Sequence, residues 1–174
     1  MRRLKAFLLK ALTKRKTVPF RAENAKSFVF LRYDRIGDLV VSLPLVKSLR
    51  EGFPSTEMIL IGSEASAPVG EYCGLFDEII VKPQGRILSW IFILRGLRRR
   101  KISTTFDLNH SVTPHTLFAC LAINSKHVAT PYKDGRWGVS GRELDLFDLM
   151  PPKHADGYDR PLAETYLDIA RLLQ

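Results

Sequence analysis

SFVFLRYDRIGDLVVSLPLVKSLREGFP, residues 27–54, is the stretch that decides the fold of this chain. It begins with the apolar run Phe28–Leu31, which is typical of a parallel strand covered on both faces. A charged turn follows, and a helix is predicted to begin at Gly37 and to end near Gly52. Pro44 lies inside that helix and predicts either a kink or a later start. Helical spacing predicts an inner face made of Leu39, Val40, Leu43, Val46 and Leu49.

The rest of the chain continues the alternation of apolar strands and helices. Residues 63–72 predict a short helix or an irregular turn, and residues 131–141, rich in glycine and charge, predict an exposed loop. The alternation indicates an α/β protein with a Rossmann-like, doubly wound parallel sheet. Further strands are predicted at 57–62, 76–81, 103–108 and 126–130, with helices at 86–101, 115–124 and 160–173.

Positive charge is concentrated in two islands. The 174 residues carry a net charge of +9, and residues 1–26 alone account for +8 of it. We therefore divide the chain into a basic amphipathic leader with its linker, residues 1–26, and a Rossmann-like domain, residues 27–174. The second island, residues 86–101, has six basic residues and no acid, and it contains an apolar block that includes Trp90 and precedes most of the basic residues.

The amphipathic part of the leader, residues 1–16, and the second island, residues 86–101, suit an anionic membrane surface. The alternatives are a leader that packs on the domain or frays, and a solvated helix end at residues 98–101. Nucleic acid is not expected as a partner, because no aromatic stacking platform or known nucleic-acid module accompanies the basic residues.

Several classes of site are not expected. Cys73 and Cys120 lack metal or redox spacing and favour a reduced, cytoplasmic compartment. The four histidines show no zinc spacing, so no metal site is predicted. No glycine-rich dinucleotide or phosphate-loop motif occurs, which argues against a resident nicotinamide or ATP cofactor. No apolar run is long enough for a membrane-spanning helix.

The turn after the first strand lies where ligands bind in an open parallel sheet, beyond the carboxyl ends of the strands. Gly37 permits a tight turn or a close approach of a ligand to the backbone. Asp38 stands at the start of the helix, where its carboxylate can cap free N–H groups or act as a general base. The residue types leave both roles open.

The segment Leu31–Pro44, LRYDRIGDLVVSLP, resembles the opening motif of the bacterial ADP-heptose:lipopolysaccharide heptosyltransferases, glycosyltransferase family 9. The shared features are an apolar strand, a polar turn, Gly-Asp and a helix that contains Leu-Pro. Further matches follow in the order of the family, at Phe53-Pro54, Phe76–Ile80, Phe106–His110 and a closing helix such as Tyr158–Leu173.

The resemblance implies one half of a type-B glycosyltransferase, an enzyme with two Rossmann-like domains that face each other across a cleft. The N-terminal half binds a lipid-linked saccharide acceptor, and the C-terminal half binds a nucleotide sugar such as ADP-heptose. Transfer inverts the anomeric centre. The catalytic base of the family is the aspartate of Gly-Asp, which corresponds to Asp38. The enzyme is expected in the cytoplasm, peripheral to the inner membrane.

The resemblance also implies acceptor contacts in the loop after the fourth strand. Asn109, His110, Ser111 and Thr113 are the candidates there, with helix capping as the alternative for Ser111 or Thr113. At the first turn, Gly37 is a further candidate, and the guanidinium groups of Arg32 and Arg35 are candidates for acceptor carboxylates or phosphates. The alternative for the two arginines is a surface ion pair with Asp34.

The second half of such an enzyme is not found in this sequence. We therefore expect the chain alone not to transfer sugar and to need a second Rossmann-like domain, supplied in trans or in a longer protein. The alternative hypothesis is a non-catalytic, stand-alone Rossmann-like module that binds a membrane surface or a partner protein.

Overall fold

A computed structural model describes residues 13–14, 18–133, 139–153 and 161–173. Most of the predicted leader, the glycine-rich centre of the loop after the fifth strand, and the residues before the last helix lie outside these ranges. The predictions made for residues 1–12, 15–17, 134–138 and 154–160 are therefore not addressed by the structure.

The five predicted strands form one parallel sheet, as expected from the sequence. Its order is β3-β2-β1-β4-β5, so the chain winds outward on both sides of β1. Leu31 is in register with Ile61 of β2 and with Asp107 of β4. The reversal of winding direction at β1 creates a crevice between the loops that follow β1 and β4. The strands are β1 Ser27–Leu31, β2 Glu57–Gly62, β3 Glu78–Val81, β4 Thr104–Asp107 and β5 His127–Ala129.

Helices cover both faces of the sheet. Pro114 occupies the first turn of its helix, as predicted, where its missing N–H costs no hydrogen bond. Two short 3-10 turns, at Ala22–Asn24 and Gly141–Glu143, supplement the helices. No helix among the described residues has the length and apolar content needed to cross a membrane. The helices that lie wholly within the described ranges are α1 Ile36–Gly52, α2 Ala67–Cys73, α3 Ile87–Arg99, α4 Pro114–Ile123 and α5 Leu162–Arg171.

The core consists of two layers because successive side chains of β1 point to opposite faces of the sheet. Phe28 and Phe30 pack beneath α1 and α5, together with Phe106 of β4. Val29 and Leu31 pack beneath α3 and α4. All four of these β1 side chains are fully buried, which explains why the strand is apolar throughout and does not alternate.

Helix α1 differs in part from its predicted form. It begins at Ile36 and runs through Pro44 without a later start. Leu39, Val46 and Leu49 are buried as predicted, but Val40 is 47% exposed and Leu45 is buried in its place. A helix turns 100° per residue, so a one-residue error in the assigned stripe moves a side chain from the core to the surface.

The prediction of an exposed loop at residues 131–141 was wrong for the described residues at both of its ends. Pro131, Lys133, Val139 and Gly141 are buried. A Cβ atom added to Gly141 would lie 2.9 Å from the Cβ of Lys133, so the backbone at Gly141 packs directly on that side chain. The charge and glycine in this segment reflect a buried ion pair and a close contact.

Candidate functional site at the carboxyl edge of the sheet

The loops that follow β1 and β4 meet because these strands are neighbours in the sheet. Arg32 comes directly after β1, and Leu108 comes directly after β4. The guanidinium of Arg32 donates to the carbonyl of Leu108 over 2.9 Å and thereby ties the two loops together. The candidate residues of both loops therefore lie next to each other at the carboxyl edge of the sheet.

Arg32 is almost completely buried, with 2% of its surface exposed. Its Nη2 donates to the hydroxyl of Tyr166 over 2.9 Å. Its Nη1 contacts Asp34 at 3.2 Å, and Nη2 lies 3.4 Å from the carboxylate of Asp38. Arg32 and Asp34 do form the ion pair that was the alternative for Arg32. It is not a surface pair, however, because Arg32 is buried and also faces Asp38.

Asp38 is the third residue of α1, and about a third of its side chain is exposed. The helix is preceded by Arg35, whose side chain makes no capping hydrogen bond. The partial positive charge at the start of the helix and the guanidinium of Arg32 both attract the carboxylate and hold it in place. The carboxylate of Asp38 is therefore fixed in position and accessible to solvent, so it can accept a proton from a ligand hydroxyl.

Asp34 lies beside Asp38 on the same guanidinium. Burial raises the pKa of Asp34, and Asp38 adds to the increase, although Arg32 acts in the opposite direction. One cation, Arg32, therefore faces two carboxylates at this edge. The three groups together carry a net negative charge when both carboxylates are ionised.

Tyr166 connects the last helix to the site. It is fully buried, and its hydroxyl lies 3.0 Å from the carbonyl of Leu108 and 3.0 Å from Nε2 of His110. A hydroxyl has one proton to donate, and the carbonyl of Leu108 can only accept. In that arrangement the hydroxyl accepts from both Arg32 and His110. Burial raises the pKa of Tyr166 to about 12.

A second buried cation lies under the loop after β4. Lys133 and Asp107 are both fully buried, and their charged atoms are 3.0 Å apart, at an angle outside hydrogen-bond geometry. Lys133 also donates to the carbonyl of Asn109 and lies 3.5 Å from that of Ser111. The other carboxylate oxygen of Asp107 accepts from the backbone and side chain of Asn109. This pair fixes the backbone of the predicted acceptor loop.

The structure brings most of the predicted site residues to one edge, with different surroundings. Arg35 and Gly37 are exposed beside Asp38, and Gly37 has no atoms within 4 Å of an added Cβ. The backbone conformation at Gly37 does not require glycine. The lack of a side chain leaves open space next to Asp38. Thr113 caps α4, because its side chain accepts a hydrogen bond from the backbone N–H of Thr116. This is the alternative to acceptor contact that the sequence left open for Thr113. Asn109, His110 and Ser111 are half-buried.

Three residues at this edge were not predicted from the sequence: Tyr166, Asp107 and Lys133. Asp107 carries a usable signal, because it is a carboxylate at the carboxyl end of a parallel strand. Tyr166 carries a polar hydroxyl and is buried on the last helix beside the apolar Ile169 and Ala170. Nothing in the sequence distinguishes Lys133 from other basic residues in a charged loop.

No protein-family model matches the sequence, and no curated protein sequence matches it either. Solved structures do match. A family 9 glycosyl transferase from Veillonella parvula superposes with a TM-score of 0.66 at 18% identity, covering 86% of this chain and 43% of that one. E. coli ADP-heptose lps heptosyltransferase II gives a TM-score of 0.65 at 14% identity, over 83% of this chain and 40% of that one.

A third similar structure is E. coli heptosyltransferase WaaC with ADP, with a TM-score of 0.60 at 16% identity. It is matched over 84% of this chain and 46% of its own length. The chain thus spans less than half the length of each of these structures. The resemblance to family 9 that was drawn from the sequence is confirmed at the level of the fold.

Proposed function

We propose that this chain is the acceptor-side domain of an inverting glycosyltransferase, with Asp38 as the general base. The observation that carries the proposal is the partly exposed carboxylate of Asp38, held by the buried Arg32 at the carboxyl edge of the sheet. The fold shared with family 9 structures supports it.

The chemistry needs a base because a sugar hydroxyl is a poor nucleophile. As its oxygen forms a bond to the anomeric carbon of the donor, its proton passes to the carboxylate of Asp38. The bond from that carbon to the nucleoside diphosphate breaks, and the electron pair leaves with the diphosphate. A single displacement of this kind inverts the anomeric configuration.

The acceptor would lie across the start of α1 and the loop after β4. Arg35 is the exposed cation closest in sequence to Asp38 and is suited to a carboxylate or phosphate of the acceptor. Asn109, His110 and Ser111 would offer hydrogen bonds to sugar hydroxyls, whereas the hydroxyl of Thr113 is engaged in capping α4. Arg32 is too buried to meet a ligand, and we assign it a positioning role.

The donor would be a nucleotide sugar, with ADP-heptose as the first candidate because two of the similar structures are heptosyltransferases. A second Rossmann-like domain would bind it. The acceptor would be a saccharide of the lipopolysaccharide core, and the enzyme would work in the cytoplasm at the surface of the inner membrane.

Acceptor binding and catalysis can be tested separately. The first measurement is the affinity of the chain for deacylated lipopolysaccharide inner-core saccharide, determined by isothermal titration calorimetry. The second is turnover by the chain joined to a nucleotide-sugar-binding half. Asp38→Asn should leave acceptor affinity within about threefold and lower kcat by roughly 10²–10⁴-fold, the usual contribution of a general base.

The matched control is Glu51→Gln, at the opposite end of the same helix, which is 69% exposed. It should leave kcat unchanged. Wild-type turnover in Asp38→Asn would remove Asp38 from the mechanism. A wild-type chain that binds vesicles but no saccharide would support the non-catalytic module instead.

A further inference from the structure

The outer face of α3 is apolar in its first half and basic in its second half. Ile87, Leu88 and Phe92 are 69%, 80% and 77% exposed. Leu88, Phe92, Arg95 and Arg99 follow one another at intervals of four, three and four residues, so they form one stripe along the helix. We call Ile87, Leu88, Phe92, Arg95 and Arg99 the α3 face.

The exposed apolar residues are not needed to fill the core. Trp90, Leu94 and Leu97 form the opposite, inner side of α3 and are buried against the sheet. Trp90 packs edge-on against Tyr33, with ring centroids 6.2 Å apart. The tryptophan that the sequence suggested as part of a membrane-facing block therefore belongs to the core, and Leu88 and Phe92 point outward.

The charge of this region is unbalanced. No acidic residue occurs from residue 79 to residue 106. Arg100 is held by Glu57 and Glu78, each at 2.6 Å. Within the described part of the chain, Arg95 and Arg99 have no ion-pair partner. The α3 face therefore presents side chains suited to an apolar medium next to cations available for external anions.

We propose that the α3 face docks on an anionic lipid surface. A helix of this kind lies in the membrane interface, with its apolar side chains at the acyl boundary and its arginines at the headgroups. The proposal goes beyond the sugar-transfer function and does not depend on the role of Asp38.

Charge complementarity favours lipid over the other possible occupants. Residues 1–16 contain seven basic residues and no acid, so that segment would be repelled by Arg95 and Arg99. A second copy in a two-fold contact would either bring the arginines together or set them against the apolar half of the other helix, and neither arrangement supplies the arginines with an anion. Nucleic acid would leave Leu88 and Phe92 without an apolar partner.

The apolar half of α3 lies at the same edge of the sheet as the candidate site. The helix follows β3, so its apolar start lies at the carboxyl edge of the sheet, the edge that also holds Asp38. Arg100, directly after the helix, contacts residues at the starts of β2 and β3, at the opposite edge. Insertion of Leu88 and Phe92 would therefore bring the site edge close to the lipid, where a lipid-linked ligand lies.

The test follows insertion at a defined position in the full chain. Phe92→Trp is compared with Tyr72→Trp, which replaces a 96% exposed residue on α2. The probes are phosphatidylcholine vesicles with and without phosphatidylglycerol, carrying brominated acyl chains. Bromine should quench Phe92→Trp and leave the Tyr72→Trp signal at the background of the native tryptophans, and salt should weaken the binding.

Partitioning provides the second measurement. Leu88→Ser with Phe92→Ser should weaken vesicle binding by about tenfold or more, because two apolar side chains no longer insert. Arg95→Glu with Arg99→Glu should remove the preference for phosphatidylglycerol. Tyr72→Ser and Lys47→Glu are the matched controls, and circular dichroism should show that all the variants fold.

Two results would overturn the proposal. One is a chain that co-sediments with vesicles while Phe92→Trp stays unquenched, which would place the contact elsewhere, for instance in residues 1–16. The other is a lipid-free dimer that Leu88→Ser with Phe92→Ser dissociates, which would mean that a second copy covers the α3 face.

Discussion

Nη2 of Arg32 lies 3.4 Å from Oδ1 of Asp38, so the carboxylate at the start of α1 is held by a cation buried at the end of β1. The same guanidinium reaches the β4 loop and the last helix through Leu108 and Tyr166. One buried side chain thus joins four parts of the fold directly under the proposed base. Stability and site geometry should consequently respond together when Arg32 is changed.

Arg32→Met should destabilise the chain by about 1–3 kcal/mol, because the carbonyl of Leu108 and the hydroxyl of Tyr166 lose a buried hydrogen bond to a charged group, while the two carboxylates remain about a third exposed. The change leaves Asp34 and Asp38 without their shared cation. Arg32→Lys should recover only part of this loss, because one ammonium group cannot reproduce the planar fork. Urea unfolding provides the measurement. The exposed Arg35→Met is the control and should remain within about 0.5 kcal/mol of the wild type.

Tyr166→Phe should reduce the decrease in the free energy of unfolding that occurs at alkaline pH. Burial raises the pKa of Tyr166 from 10.0 to about 12, so the folded chain retains a proton that the unfolded chain loses. Stability therefore falls as the pH rises above 10. Between pH 9 and pH 11, the wild type should lose about 1 kcal/mol more than Tyr166→Phe. Tyr72→Phe, at an exposed position, should behave like the wild type.

Lys133→Met should cost about 3–5 kcal/mol because it leaves the carboxylate of Asp107 buried without its cation. Asp107→Asn combined with Lys133→Met should recover a large part of this loss, since no unpaired charge then remains. The four proteins form a double-mutant cycle, measured by denaturant unfolding. Additive losses would mean that the two charges do not interact. Lys47→Met, at a 70% exposed lysine, is the surface control.

Asp77→Asn should remove part of the acid sensitivity of the fold. Burial alone would raise the pKa of Asp77, but hydrogen bonds from Arg50 and from the backbone of Met58 outweigh it and hold that pKa below 3.8. The stabilisation is present above that pH and is lost as the pH falls through the folded-state pKa.

At neutral pH, Asp77→Asn should therefore cost about 1 kcal/mol, a value reduced by solvent screening because Asp77 is 48% exposed. The difference from the wild type should shrink as the pH falls below 3.8. Glu71→Gln, on the exposed side of α2, is the control. An equal difference at every pH would show that lost packing, rather than charge, is the cause.

Much of the fold was predictable because local patterns encode it. The run Phe28–Leu31 is apolar at every position, which is typical of a short strand covered on both faces. The order of strands and helices followed from the same patterns. The stripe on α1 was less accurate, since Val40 and Leu45 are both apolar and the pattern alone does not decide which one faces the sheet.

The candidate site was predicted only in outline. Asp38 and Arg32 could be placed at the carboxyl edge because they follow the first strand. The sequence did not show that Arg32 is buried, since a charged residue in a turn is usually exposed. Nor did it indicate Tyr166 as a partner, because 134 positions separate the two residues along the chain.

The sequence by itself determined the class of fold, the edge of the sheet at which the candidate residues lie and the uneven charge of the chain, because strand alternation, helix periodicity and composition are local properties. Only the tertiary structure decided that Arg32 is shared by two carboxylates, that Lys133 pairs with Asp107, and that Trp90 faces inward while Phe92 faces out. These relationships depend on which surfaces meet when β1, β4 and the last helix pack together, and burial then turns a distant pairing into the strongest interaction available to each charge.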